Sequence, residues 1–469
     1  MTGLRARVLV VALCLGGTVT ALQGTLLVPV LPNLPRELGT SPATVSWLVT
    51  ATLLAGAVAT PVASRLADMY GKRQILLSCL AISIAGSLLG ALSHGVAEAV
   101  AARAMQGVGV VLIPVGIAVM RDELPPARVP SGIALLGATL AMGGGLGLPL
   151  AGLVAQGPGW RALFWITGGA AAVVFCLVLA AVPRSDLRSG GTFDHRGAIL
   201  LSAALVALLL ALTKGGTWGW TSAATAGCAA AGAVLLAVWL PVELRAPRPL
   251  VDVRLAGRPA LLLVNGAAAL AGFGMFTDPL VTTQLLQAAP STGYGHGLDA
   301  TATGLLLAPG SLAFGLAAPL AAHLVRRYGP EVAFCSGALC MGVSYAARTL
   351  PGPGLGWILT ASLAVSAGAS LAFGALPSLV LALSPASEAA SASGLNALMR
   401  SLGTSTASAV VAAAAGGAPA PSYGVLNGVF LGAALACLLA AAALGPLLLG
   451  RTASRVPGAM VDRGADRVG

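Results

Sequence analysis

Apolar stretches of about twenty residues recur from one end of the chain to the other, separated by short polar connectors. A helix crossing the hydrocarbon core of a bilayer needs about 20 such residues, so each stretch predicts one span. The pattern predicts roughly fourteen helices, at about 8–33, 44–66, 74–93, 97–120, 130–156, 160–183, 197–216, 221–244, 260–287, 301–325, 331–350, 355–383, 389–415 and 424–449. No stretch alternates with the two-residue period of a barrel strand. The expected fold class is therefore an all-α polytopic membrane protein, its backbone satisfied inside its own helices. The first run follows Arg5 and Arg7, as the core of a signal peptide would. It is too long for one, lacks a cleavage site and precedes many similar runs, so it is read as the first span.

The helical pattern repeats. "ASRLADMYGKR" from Ala63 and "AAHLVRRYGPE" from Ala321 each follow the second helix of a six-helix set, at an offset of 258 residues between Asp68 and Arg326. The same shift carries the first span close to the ninth and the fifth onto the thirteenth. The expected organisation is a six-helix half over 1–183, a two-helix insert with flanking loops over 184–258, a second six-helix half over 259–450 and a disordered tail over 451–469. Parallel repeats of this kind are a transporter signature, with substrate handled near the midplane between the halves.

Composition agrees: 57% of the 469 residues are hydrophobic and 9% charged, too few charges to cover a water-soluble surface of this size. The net charge of +11 would suggest nucleic acid in a soluble protein. Here its distribution explains it. With the N-terminus inside, 20 of the 26 Lys and Arg fall on the cytoplasmic side; Arg36, Arg161, Lys214 and Arg348 fall outside, and Arg103 and Arg400 lie within helices. This positive-inside bias predicts that both termini are cytoplasmic, and the expected location is the plasma membrane. The seven cysteines lie in apolar runs without metal-ligand spacing and read as small packing residues. The four histidines have no catalytic neighbours, and no Walker motif is present. Neither an enzyme nor a directly ATP-driven machine is expected, and no cofactor.

One connector stands out. "SRLADMYGKR" at 64–73 puts Arg65, Asp68, Lys72 and Arg73 between two apolar runs. It resembles the loop motif of the major facilitator superfamily, with Leu66, Asp68, Tyr70, Gly71, Lys72 and Arg73 in place and Ser64 and Met69 departing from it. "RAMQGVG" at 103–109 is similar to the family's helix-4 motif. "GLPLAGLVAQGPGWRALFW" at 147–165 is similar to the helix-5 antiporter motif, its Gly-Pro loosened to Gly147-Leu148-Pro149. "LQGTLLVPVLP" at 22–32 resembles the helix-1 motif, but Gln23 replaces the usual Asp and Val28 the usual Asn. Jointly these point to the fourteen-helix drug:proton antiporter branch.

What the resemblance implies is a monomeric exporter of hydrophobic or amphiphilic small molecules, in contact with lipid and driven by a proton gradient. The alternatives are an uncoupled facilitator and a sensor or assembly protein on a transporter scaffold. Asp68, Gly71, Lys72 and Arg73 form either a gating latch or only a topology signal. Gly147, Pro149 and Gly152 permit close helix packing and a bend, which in an exporter also seals against proton leak. Arg103, with Gln106 one turn on, either snorkels outward or sets the charge state of a carboxylate. Arg400, with Asn396 one turn before it, either pairs with helix carbonyls or lines the cavity and binds substrate or an acid. Asp278 is the acid well inside an apolar span, in "GMFTDPLVTTQ". It lies one helical turn from the repeat position of Gln23. It is expected either to carry the proton or to bind a cationic substrate in place of the lost acid, with Arg103 or Arg400 as its partner; otherwise it is a structural Asp-Pro.

Overall fold

The computed structural model describes residues 3–454, except 28–29, 31–33, 156–158, 185–191, 248, 299, 351–353, 386–387 and 416–420. The tail expected to be disordered lies outside the described residues from 455 onward. Among the described residues the chain is helical without strands. The first half contributes α1 (Gly3–Thr25), α2 (Trp47–Tyr70), α3 (Lys72–Ala91), α4 (Val96–Glu123, with one 3-10 turn), α5 (Val129–Ala155) and α6 (Arg161–Ala181). Two further helices follow, α7 (His195–Trp218) and α8 (Ala223–Arg245). Then come α9 (Pro259–Gln287), α10 (Ala300–Tyr328), α11 (Pro330–Arg348), α12 (Leu355–Leu383), α13 (Ala389–Ala415) and α14 (Tyr423–Ser454). Among the described residues, eleven helices are long and apolar enough to cross a membrane, broadly consistent with the roughly fourteen expected.

Ends follow local chemistry. Gly71 stops α2 because the chain turns there at φ 115, which only glycine adopts without strain. Asp194 and Ser222 cap α7 and α8, their side chains accepting from the amides of Gly197 and Thr225. The first helix departs from expectation: it ends at Thr25 rather than near 33. The sequence explains this, because Pro29 lacks the N–H that the Thr25 carbonyl would need.

Two apolar cores organise the bundle. One gathers Leu9, Leu13, Leu76, Leu112 and Val178 from α1, α3, α4 and α6. The other gathers Val264, Phe334, Met341, Leu376 and Phe430 from α9, α11, α12 and α14. On one flank α7 packs Leu201, Leu205 and Leu209 with Ala57 of α2 and Leu398 of α13, so it touches both groups. α8 leans on α7 and leaves Val234 and Val238 exposed. In lipid, helices gain little from apolar burial and associate by close packing, which small residues permit. A Cβ on Gly337 of α11 would stand 2.4 Å from the Gly368 carbonyl oxygen of α12, so these backbones touch directly.

Candidate functional site

The charged connector between α2 and α3 is built into the protein rather than solvated. Asp68 is 1% exposed. Its carboxylate accepts from the backbone amides of Ala390 (3.3 Å) and Ser391 (2.8 Å) and from the Ser391 hydroxyl (2.7 Å). These are the first residues of α13, whose amides have no partner within their own helix and whose dipole favours a negative charge. Ser64, one turn earlier on α2, sits so close to Gly394 that a Cβ there would stand 2.6 Å from its hydroxyl. Lys72 is buried and paired with Asp122 Oδ2 of α4 at 2.6 Å. Arg73 donates to the Leu179 carbonyl of α6 at 2.6 Å. The basic residues of the motif thus brace α3 within the first half, and its acid reaches across to the second.

Two more polar contacts cross between the halves at the same face. Arg121 at the end of α4 donates to the Ser384 carbonyl beyond α12 (3.2 Å), and Arg326 at the end of α10 donates to the Ser131 hydroxyl at the start of α5 (2.6 Å). Arg326 is the repeat counterpart of Asp68, and α10–α5 is the repeat counterpart of α2–α13. Among the described residues, no hydrogen bond joins the two halves at the opposite face. Glu388, just ahead of α13, lies outside the helices. Burial pushes its carboxyl above the ordinary range, Asp252 adds to the rise and Arg65 opposes it.

Between the halves lies a cavity of about 250 Å³. Its walls are Ile113 and Ile117 of α4, Ile133, Leu136 and Gly137 of α5, Met275 of α9, Phe314 of α10, Phe373 and Pro377 of α12, and Arg400 and Thr404 of α13. It is an apolar pocket with few polar groups, the composition of a site for small hydrophobic molecules. Arg400 lies over the Phe373 ring at 5.4 Å. Asn396 does not pair with it: it donates to Asn265 of α9 at 3.0 Å.

The other candidate residues fall into two separate networks. In the first half Gln23 exchanges hydrogen bonds with Ser83 of α3 (3.0 and 3.2 Å). Arg103 is buried and donates to the Gln23 carbonyl (2.6 Å), the Leu48 carbonyl (3.2 Å) and Gln106 (2.8 Å). It neither snorkels nor meets a carboxylate among the described residues. A void of about 10 Å³ beside Gln23, Arg103 and Gln106 is roughly the size of one water. Gly147 of α5 faces α1: a Cβ on it would meet the Thr25 hydroxyl at 2.0 Å. Pro149 and Gly152 continue α5, and their surroundings lie outside the described residues.

In the second half Asp278 is 4% exposed and its partner is neither Arg103 nor Arg400. Arg348 supplies the counter-charge, Nη1 standing 2.7 Å from Asp278 Oδ1. Thr282 donates to the same oxygen (3.2 Å) and the Ser362 hydroxyl to Oδ2. Arg348 also donates to Thr282 (3.0 Å) and the Ile358 carbonyl (2.9 Å). Counted among the outer-side charges at the end of the 331–350 run, Arg348 is the last residue of α11 and 3% exposed. Lys214 is likewise buried, in α7, bonded to Ser46 and lying over the Trp47 ring. Such residues count as outer charges for topology yet have the length to fold back into the bundle.

A family model described as Major Facilitator Superfamily matches residues 13–408. The chain belongs to the major facilitator superfamily. It is a multi-pass membrane protein of that transporter family. It is 30% identical over 348 residues to an uncharacterized MFS-type transporter of Mycobacterium tuberculosis, covering 74% of this chain and 50% of that one. The chain thus spans about half the length of that relative. It is 29% identical over 448 residues to the cephamycin export protein CmcT of Amycolatopsis lactamdurans, covering 91% and 89%. Its fold superposes on the proton:xylose symporter XylE with a TM-score of 0.65 at 13% identity, covering 97% of each chain.

Proposed function

We propose that the chain is a secondary active exporter. It moves hydrophobic or amphiphilic small molecules, drugs or antibiotics among them, out across the plasma membrane in exchange for protons, by alternating access. It works as a monomer with both termini in the cytoplasm. The observation that carries this reading is the apolar cavity between the halves, with the polar contacts that bridge them gathered at one end. Releasing Asp68 from α13 and Arg326 from α5 would let the halves rock about the cavity and open it to the other side. Exporters among the relatives support the direction.

In this reading Asp278 is the proton carrier. Protonation cancels its pairing with Arg348, freeing a buried guanidinium to seek other acceptors and biasing the packing of α9 against α11 and α12. A second reading, the uncoupled facilitator, is favoured by Gln23 in place of the helix-1 acid and by the fully partnered state of Asp278. Reconstitution decides between them. Proteoliposomes under an imposed pH gradient should concentrate the lipophilic dye N-phenyl-1-naphthylamine against its own gradient. Equilibration faster than in protein-free liposomes but without accumulation would leave the facilitator, and movement no faster than in protein-free liposomes would leave a scaffold that has lost transport.

A further inference from the structure

The central cavity contains a cation to which the protein supplies no counter-charge. The buried cations are answered: Arg348 by Asp278, Lys72 by Asp122, Arg103 by three oxygens, Lys214 by a hydroxyl and a ring, and Arg65 by the nearby Glu388 carboxyl. Arg400 is not. It is half-buried in the cavity wall and, among the described residues, its guanidinium donates to no acceptor; its near neighbour is the face of Phe373. Nor do the lining spans offer a free acid near it. The spans of α5, α10, α12 and α13 contain neither Asp nor Glu, Asp278 on α9 is held by Arg348, and the acids of α4 lie at its two ends, Glu98 accepting from the His94 amide and Asp122 paired with Lys72 beside Glu123.

We propose that the cavity selects amphiphilic organic anions: molecules with an apolar or aromatic body and one carboxylate or sulfonate, the anionic group paired with Arg400. This deepens the export reading and rests on it, since it takes the cavity as the transport site. The physical warrant is a difference in cost. A guanidinium presents a planar fork of donors that matches a carboxylate or sulfonate and forms charge-assisted hydrogen bonds. A neutral ligand that dries the cavity leaves the same guanidinium desolvated and unpaired, and a cationic one adds like-charge repulsion in an apolar setting. Specificity then comes as much from what the cavity penalises as from what it attracts. Met275, Phe314, Phe373, Ile113 and Ile117 receive the apolar body without fixing its shape.

The test uses the full-length protein in nanodiscs of zwitterionic phosphatidylcholine, so that anionic lipid does not compete. Two fluorescent probes share one frame: 8-anilinonaphthalene-1-sulfonate and N-phenyl-1-naphthylamine, with and without the sulfonate. After subtraction of empty discs, Arg400→Gln should weaken the sulfonate probe about tenfold and leave the neutral probe bound as tightly or more tightly, with the sulfonate affinity largely rescued by Arg400→Lys. The wild type provides an arm that needs no variant: 1-naphthoate should displace the bound sulfonate probe, and 1-naphthylmethylammonium should not. Equal weakening of both probes, no saturable sulfonate binding, or displacement by the ammonium would each overturn the proposal. Export fails separately. Vesicles that move the neutral probe while Arg400→Gln spares sulfonate binding overturn the anion site alone. Arg400-dependent sulfonate binding with no movement of either probe overturns export alone.

Discussion

A carboxylate and a guanidinium buried side by side have opposite needs from the same protein. Each is costly alone in a low-dielectric interior, and each makes the other tolerable only if the remaining lone pairs and N–H groups are also met. Asp278 and Arg348 come close to this, with Thr282, Ser362 and the Ile358 carbonyl completing most of the set. Asp278→Asn therefore does more than remove a proton site; it strands Arg348. The single variant should lose about 3–5 kcal/mol of stability, seen in thermal or denaturant unfolding in detergent. Asp278→Asn combined with Arg348→Gln should recover most of it, and that double variant is the proper background for asking whether uphill transport is lost while downhill movement survives. A single variant as stable as the wild type would mean that the pair is not charged. Asp278 was legible in the sequence because an acid inside an apolar run is conspicuous. Arg348 was not: an arginine near the outer end of a predicted helix, just before "TLPGPG", reads as an interfacial charge, and only the packing of α11 against α9 and α12 turns it inward.

At the scale of the helix, hydropathy places the ends only to within a few residues, and Gly71, Asp194 and Ser222 are what fix them in the fold. The end of α1 was misread because hydropathy continues past Thr25 even though the prolines forbid the ladder. Contacts between helices were largely hidden, since small residues spread through every span and hydropathy does not say which ones face a neighbour. α11 and α12 are the clearest case. Gly337 and Gly368 approach until a Cβ on either would stand 2.4 and 2.7 Å from the other's carbonyl oxygen. These are backbone atoms that no rotamer change can move aside. Gly337→Ala and Gly368→Ala should each lower the unfolding temperature, against the helix-propensity gain of up to about 1 kcal/mol that alanine brings. Gly266 of α9 has open space around its missing side chain, so Gly266→Ala should be neutral or slightly stabilising. If all three variants melt alike, close packing is not what holds α11 to α12.

For the whole molecule, the sequence shows two similar connectors 258 residues apart, but not the use the fold makes of each. The cavity was also out of reach, because its walls come from six helices that meet only in the assembled fold. The assembled fold gives the two connectors unequal work. Asp68 is buried and accepts three hydrogen bonds from the start of α13, where its negative charge suits the helix dipole. Arg326 is exposed, makes one bond to Ser131, and presents a positive charge to the start of α5, where the dipole opposes it. The closed face should therefore depend on Asp68 far more than on Arg326. Spin labels at the exposed Arg128 and Tyr328, flanking this face on opposite halves, would read the separation by double electron–electron resonance. Asp68→Asn should shift the distance distribution to longer values and widen it, with insertion and folding intact, and should weaken export. Arg326→Gln should leave both nearly unchanged, as expected for one solvent-exposed contact. An unshifted distribution in Asp68→Asn would mean that apolar packing alone closes this face. The motif would then matter only for orienting the chain in the membrane.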